Sequence, residues 1–127
     1  MEQKYYLVDT CVFISAFRGN PKAIKLLTGL KGKVAVSSIT IMELYLGAKT
    51  AQRKKELSQH ISKLPVCHLT TEVSVKAMAM VKRYVTSRRN IGIPDCIIAS
   101  TAIENNYPLV TYNIKDFDFI HGLDLYK

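Results

Sequence analysis

Tyr5-Tyr6-Leu7-Val8-Asp9-Thr10-Cys11-Val12-Phe13-Ile14 is the stretch on which the reading of the whole chain turns. Its first four residues are aromatic or aliphatic, with no polar alternation. That pattern belongs to a strand buried on both faces, as in a parallel sheet. Asp9 breaks the run, and Val12, Phe13 and Ile14 resume it at once, so a short helix is expected over about 11–17. Asp9 therefore stands at the carboxyl end of a buried strand, where open α/β sheets build their sites. A carboxylate there is partly desolvated and needs a partner. The plainer reading makes it the N-cap of the helix that follows.

Helix-like and strand-like patterns alternate from there on. Asn20-Pro21 supplies an N-cap and a proline at the first helical position. Ala23, Ile24, Leu26, Leu27 and Leu30 form that helix's apolar side, and Gly29 ends it. Val34-Ala35-Val36 reads as a second strand, followed by helices over about 38–48 and 51–63. Val66-Cys67-His68-Leu69 is a third strand. Thr70 or Thr71 then caps a long helix with Val73, Ala77, Val81, Tyr84 and Val85 near one face and Lys76, Lys82, Arg83, Arg88 and Arg89 off it. Asn90-Ile91-Gly92-Ile93 reads as a loop, Pro94 opens a helix through about Asn105, and Leu109-Val110-Thr111 is a fourth strand. A last short strand takes in Leu125. The order fits four to five parallel strands with helices on both faces.

The 127 residues are the size of one domain, expected to span 1–127, and no linker, repeat or low-complexity stretch divides them. A hydrophobic content of 48% argues against disorder. No apolar run approaches the roughly 20 residues of a membrane span. Met1-Glu2-Gln3-Lys4 leads straight into a strand without the features of a signal peptide, so a cytoplasmic location is expected. The three cysteines, Cys11, Cys67 and Cys96, lack metal-ligand spacing and suit no disulfide framework. Eighteen Lys and Arg against ten acids give a formal charge of +8, which favours nucleic acid or an acidic protein partner. A merely solubilising charge is the bland alternative.

Three more acids occupy conspicuous places. Glu43 interrupts the apolar segment Ile39-Thr40-Ile41-Met42-Glu43-Leu44-Tyr45-Leu46, where a charge must be paired or bind metal. Thr40-x-x-Glu43 also matches a capping box, although a helix start at Ser37 or Ser38 suits the flanking apolar residues better. Asp95 follows Pro94 in a first helical turn, where the helix dipole alone would favour it. Asp116 and Asn113 follow the fourth strand and read equally as turn residues. Thr111 either aims its hydroxyl at a site or simply ends the strand. Carboxylates gathered in one pocket raise each other's pKa unless a cation joins them. Hard oxygens without His or Cys suit Mg²⁺ or Mn²⁺ rather than Zn²⁺. His60, His68 and His121 are scattered and read as structural or surface residues.

Four segments carry a resemblance: YYLVDTCVFI around Asp9, SSITIMELYLGA around Glu43, IPDCIIASTAI around Asp95 and LVTYNIKDF around Asp116. In order, spacing and flanking hydrophobicity they resemble the PIN-domain family, and within it the VapC-like toxins. The resemblance implies an α/β/α sandwich and an acidic pocket of Asp9, Glu43, Asp95 and Asp116. Asp9 and Asp95 would be the most direct metal ligands, with Glu43 and Asp116 binding directly or through water. Thr111 and Asn113 would support the pocket. The implied reaction is hydrolysis of RNA, transfer RNA at the family level, by metal-activated water, leaving a 5′-phosphate and a 3′-hydroxyl. The implied partners are an antitoxin and a second copy of the chain. Relatives often carry Arg where this chain has Tyr112, whose ring offers a base a face to stack on. Arg18, Lys49, Arg53, Lys54, Lys55, Arg88 and Arg89 are the candidates for drawing RNA toward a negative pocket.

Rival readings remain. A catalytically silent RNA-binding or scaffold domain of the same family would keep the fold. A haloacid-dehalogenase phosphatase needs a second Asp where Cys11 stands, and a receiver domain needs paired acids in that loop. A thiol mechanism through Cys11 or Cys96 lacks a His partner in the sequence. Direct operator reading lacks a helix-turn-helix signature.

Overall fold

The computed structural model describes residues 4–85 and 91–126. Arg88 and Arg89 lie outside them, as does Asn90 of the expected loop. Four strands, β1 (Tyr6–Val8), β2 (Val34–Ser37), β3 (Val66–Cys67) and β4 (Leu109–Val110), form one sheet in the order β3-β2-β1-β4. Every neighbouring pair is parallel, with Leu7 opposite both Ala35 and Leu109, and Val8 opposite Val110. β1 is thus an interior strand, and Leu7 and Val8 are fully buried. That burial is the reason its sequence shows no polar alternation.

Successive side chains of the strands feed two separate cores. Val8, Val34, Val36 and Val110 pack with Val12, Phe13, Leu44, Leu57 and Ile61. Those partners come from α1 (Thr10–Phe17), α3 (Ser38–Gly47) and α4 (Ala51–Ile61), and α2 (Pro21–Gly29) packs beside α1. Leu7, Ala35 and Leu109 point the other way, against Ala77, Met80, Cys96, Ile98, Ala99, Ala102 and Phe117. These belong mainly to α5 (Thr71–Tyr84) and α6 (Ile93–Asn105). The result is the expected three-layer α/β/α sandwich.

The connections set the site. From β1 the chain moves stepwise to β2 and β3, and then crosses back to place β4 on the far side of β1. The strand order therefore reverses between β1 and β4, and their carboxyl ends flank the crevice such a reversal opens. Asp9 follows one of these ends and Thr111 the other.

Several expected boundaries shift for local reasons. β4 stops at Val110 because the Thr111 hydroxyl accepts the Asn113 N–H at 3.0 Å and turns the chain. Leu125 makes one parallel bridge to Leu109 instead of a strand, which leaves the sheet at four strands among the described residues. β3 ends at Cys67 rather than Leu69. α6 begins at Ile93 with Gly92 as its cap, so the loop ends one residue early. On α5 the buried stripe is Val73, Ala77 and Met80, and Val85 is 68% exposed. At 100° per residue Val85 has rotated about 120° from Val73. No helix among the described residues is long and apolar enough to cross a membrane.

Candidate active site

Asp9 is both a cap and a tie between two strand ends. It is the N-cap of α1 and only 4% exposed. A cap carboxylate ordinarily reaches the second or third helical N–H. Asp9 Oδ1 instead accepts the N–H of Thr10, the first helical residue, at 2.8 Å. Its Oδ2 accepts the Thr111 hydroxyl at 2.7 Å and the Cys11 thiol at 3.4 Å. Asp9 thereby ties the end of β1 to the end of β4.

Glu43 sits in the second turn of α3, whose N-cap is Ser37 with its side chain accepting the Thr40 N–H. The capping-box alternative for Thr40 and Glu43 is therefore excluded: the cap lies three residues earlier. Thr40 and Leu44 face the core while Met42 and Leu46 are exposed, and Glu43 lies half-buried between the two faces. Its Oε1 accepts the Thr10 hydroxyl at 2.6 Å.

Asp95 falls in the first turn of α6, as expected, and is half-buried. Burial pushes its carboxyl up to about 6, and the charges of Asp9, Asp116 and Glu43 add to the rise, in that order. Asp95 thus feels all three of the other acids singled out from the sequence. Asp116 closes the 3₁₀ turn Ile114–Asp116 and is exposed at the rim. Asn113 is also exposed, and its tie to the pocket runs from its main-chain N–H to Thr111. Tyr112, 46% exposed, stands between these two residues.

The sequence reading missed the hydroxyls. Thr10, Thr40 and Ser37 form a buried chain that ends on Glu43. The available signal was a hydroxyl directly after Asp9, together with the pair Ser37 and Thr40 one turn before Glu43.

Among the described residues the one salt bridge joins Lys76 to Glu104, so no described Lys or Arg forms a salt bridge with these four acids. Among the same residues, no three His, Cys, Asp or Glu side chains stand near enough to enclose an ion together. This spacing disfavours a closed all-protein cage. It fits a hydrated Mg²⁺ or Mn²⁺, which keeps several waters and takes only one or two carboxylates directly. The donor set, hard carboxylate oxygens, has the chemistry for such an ion.

Beside Glu43 a groove of 1040 Å³ runs between α1, α2, α3 and α4. Ile14, Phe17, Ile24, Leu27 and Leu57 give it apolar walls, and Arg18, Lys31, Lys49 and Arg53 line it too. Three of the basic candidates, Arg18, Lys49 and Arg53, therefore share this groove, while Lys54 and Lys55 are exposed on α4 outside its lining.

The three cysteines are free. Burial raises the Cys11 thiol above its ordinary value and the neighbouring Asp9 charge raises it further, so the group stays protonated at neutral pH. Cys11→Ser is accordingly expected to keep any hydrolytic activity within roughly threefold, measured as initial rates on RNA. A loss beyond a hundredfold would point to a thiol nucleophile.

Comparison with known proteins matches residues 6–120 to the PIN domain family. Ribonuclease VapC10 of Mycobacterium tuberculosis is 32% identical over 92% of this chain and 89% of that protein. The tRNA(fMet)-specific endonuclease VapC of Shigella flexneri is 24% identical over 93% of each. Among solved structures, VapBC2 from Rickettsia felis bound to a DNA fragment from their promoter superposes with a TM-score of 0.85. That match has 29% identity and covers 96% of this chain and 97% of that one. The family match over residues 6–120, with a relative 32% identical over nearly the whole chain, shows that the chain belongs to the PIN-domain family.

Proposed function

We propose that this chain is a Mg²⁺- or Mn²⁺-dependent endoribonuclease, the toxin half of a toxin–antitoxin pair, with transfer RNA as its substrate class. The observation that carries this reading is geometric: Asp9 accepts the Thr111 hydroxyl at the end of β4, and Thr10, whose N–H is held by Asp9, reaches Glu43 on α3. The charges of Asp9, Asp116 and Glu43 all raise the Asp95 carboxyl, and among the described residues no Lys or Arg makes a salt bridge to these four acids. Relatives named ribonucleases support the reaction class, and a relative named as tRNA(fMet)-specific supports the substrate.

In this reading Asp9 and Asp95 hold the ion most directly, and Glu43 and Asp116 hold it directly or through water. Thr111 fixes Asp9 by its hydroxyl, and Asn113 fixes Thr111 by its main-chain N–H. When bound, the ion supplies positive charge to the phosphate oxygens and lowers the pKa of the attacking water. The chain itself orients the carboxylates, and none of its described Lys or Arg forms a salt bridge with them. Basic residues at the rim bring the RNA backbone close, so binding weakens as salt rises.

The groove beside Glu43 suits an antitoxin segment, either an amphipathic helix or an extended tail with apolar anchors. Solved neighbours that are toxin–antitoxin complexes support this partner. The exposed Val75 and Met78 of α5, with Val85 at its C-terminal cap, give a second copy of the chain apolar surface to cover.

The test is cleavage of total transfer RNA by the purified chain with Mn²⁺ or Mg²⁺ and with excess EDTA. Cleavage that requires the metal and leaves 5′-phosphates is the expected result. Activity that persists in EDTA removes the metal mechanism. RNA binding without cleavage at any metal concentration supports the silent RNA-binding alternative instead.

A further inference from the structure

We infer that Thr10 is a positioning residue that clamps two carboxylates of the pocket at once, Asp9 through its N–H and Glu43 through its hydroxyl. The inference rests on the metal-dependent reading above and adds to it a residue that holds the acids without touching substrate. Thr10 is the first residue of α1 and only 9% exposed. Its N–H lies 2.8 Å from Asp9 Oδ1 and its Oγ1 lies 2.6 Å from Glu43 Oε1. Glu43 is 33 residues away on another helix, so this single residue fixes α1 against α3 at the pocket.

The proton order along the chain follows from valence. A hydroxyl has one hydrogen, and an ionised carboxylate only accepts. Thr10 therefore gives its hydrogen to Glu43. Thr40 Oγ1, 2.9 Å from Thr10 Oγ1, is the competing acceptor for that one hydrogen, and the nearer, charged Glu43 oxygen takes it, while Ser37 donates to Thr40 at 3.1 Å. Ser37 is itself held in place as the cap of α3. Thr40 is 0% exposed, so water cannot easily substitute for it. The bond to the carboxylate is charge-assisted, which makes it the stronger of the two open to the Thr10 hydroxyl.

The choice of a neutral donor matters. Asp9 and Glu43 repel each other and would drift apart without a tether. An arginine would hold both, but it would also cancel the field that attracts a cation. Thr10 holds both and leaves their charge intact, with one oxygen of Glu43 spoken for and the other free.

The experiment reads Mn²⁺ affinity by electron paramagnetic resonance, with RNA cleavage as a second measurement. Thr10→Val keeps the N–H to Asp9 and removes only the hydroxyl. It is expected to weaken Mn²⁺ binding by about 10–100-fold, the range seen when groups that orient metal ligands are removed. Thr10→Ser should stay within roughly threefold of the unmodified chain. In a Glu43→Gln background, Thr10→Val should change affinity by less than about threefold, because its effect passes through Glu43. An equal loss in both backgrounds, or unchanged Mn²⁺ binding by Thr10→Val, overturns the clamp. Should Thr10→Val fail to fold, Thr10→Ala replaces it: a loss that vanishes with Glu43→Gln supports the clamp, and one that persists overturns it. If the unmodified chain takes up no Mn²⁺, the nuclease reading itself falls. If it takes up Mn²⁺ and only the Thr10 arms disagree, that reading stands and the clamp alone fails.

Discussion

Asp95→Asn is expected to abolish RNA cleavage and, in metal-free buffer at pH 7, to raise Tm by roughly 3–10 °C. The folded chain pushes the Asp95 carboxyl from 3.8 up to about 6, through burial first and then the charges of Asp9, Asp116 and Glu43. A folded-state value above the unfolded one means that folding prefers the protonated acid. The stabilisation is fully present below about pH 4 and is lost as pH rises through about 6. At pH 7 the ionised Asp95 therefore opposes folding. A rise of this size corresponds to roughly 3 kcal/mol before solvent screening of a half-buried group reduces it. Against it stands the favourable position of a carboxylate in the first turn of α6, worth about 0.3–1 kcal/mol. Burial, with repulsion added to it, outweighs the dipole and leaves a net penalty on the order of 1–2 kcal/mol that the amide removes. A saturating divalent ion should relieve the same penalty in the unmodified chain, since it binds only the folded state, and should do so much less in the variant. Thermal melts at pH 5 and pH 7, each with and without Mg²⁺, separate these terms. A variant less stable than the unmodified chain at pH 7 would show that Asp95 is held by the helix dipole and not strained by its neighbours.

The sequence made the acids readable for different reasons, and those reasons explain what it left out. Asp9 stood out because β1 is interior and its residues cannot alternate, so one charge at the strand end is conspicuous. Glu43 stood out against an apolar run, but whether it was a cap depended on where α3 begins, and Ser37 settled that only through its bond to the Thr40 N–H. Thr10 was invisible because a threonine after an acid is ordinary, and its partner is 33 residues away. A contact of that kind exists only once β1 and β2 are paired in register. Strand ends were misjudged where side chains intervene: Thr111 continues the apolar run in sequence, yet its hydroxyl leaves the ladder to bind Asp9. The basic residues were the least legible. Arg18, Lys49 and Arg53 come from separate elements or loops, and only the packing of α1, α3 and α4 brings them to one groove. Net charge announces a polyanion or an acidic partner, but it does not say which face meets it.

Asp9→Asn should lower RNA cleavage by on the order of 10³-fold while leaving the fold intact, since several kcal/mol of transition-state charge stabilisation rest on the ion. The amide keeps one oxygen, which can still accept the Thr10 N–H and preserve the cap on α1. Its nitrogen would replace Oδ2 opposite Thr111, where the Thr111 hydroxyl can rotate from donor to acceptor. Lost packing is therefore small, and what disappears is one of the negative charges in the crevice. Stability should respond differently from activity: removing a buried charge that repels Asp95 offsets part of the weakened hydrogen bonds. The Asp95 titration should accordingly move down in Asp9→Asn, because the first-ranked charge raising it is gone. Carbon-13 detection of the Asp95 carboxyl through a pH series reads that shift directly, and RNA cleavage reads the catalytic loss. A variant that cleaves RNA as fast as the unmodified chain would remove Asp9 from the metal site. An Asp95 titration unchanged by Asp9→Asn would instead show that the two carboxylates do not share one field, and the crevice would lose its claim to bind an ion.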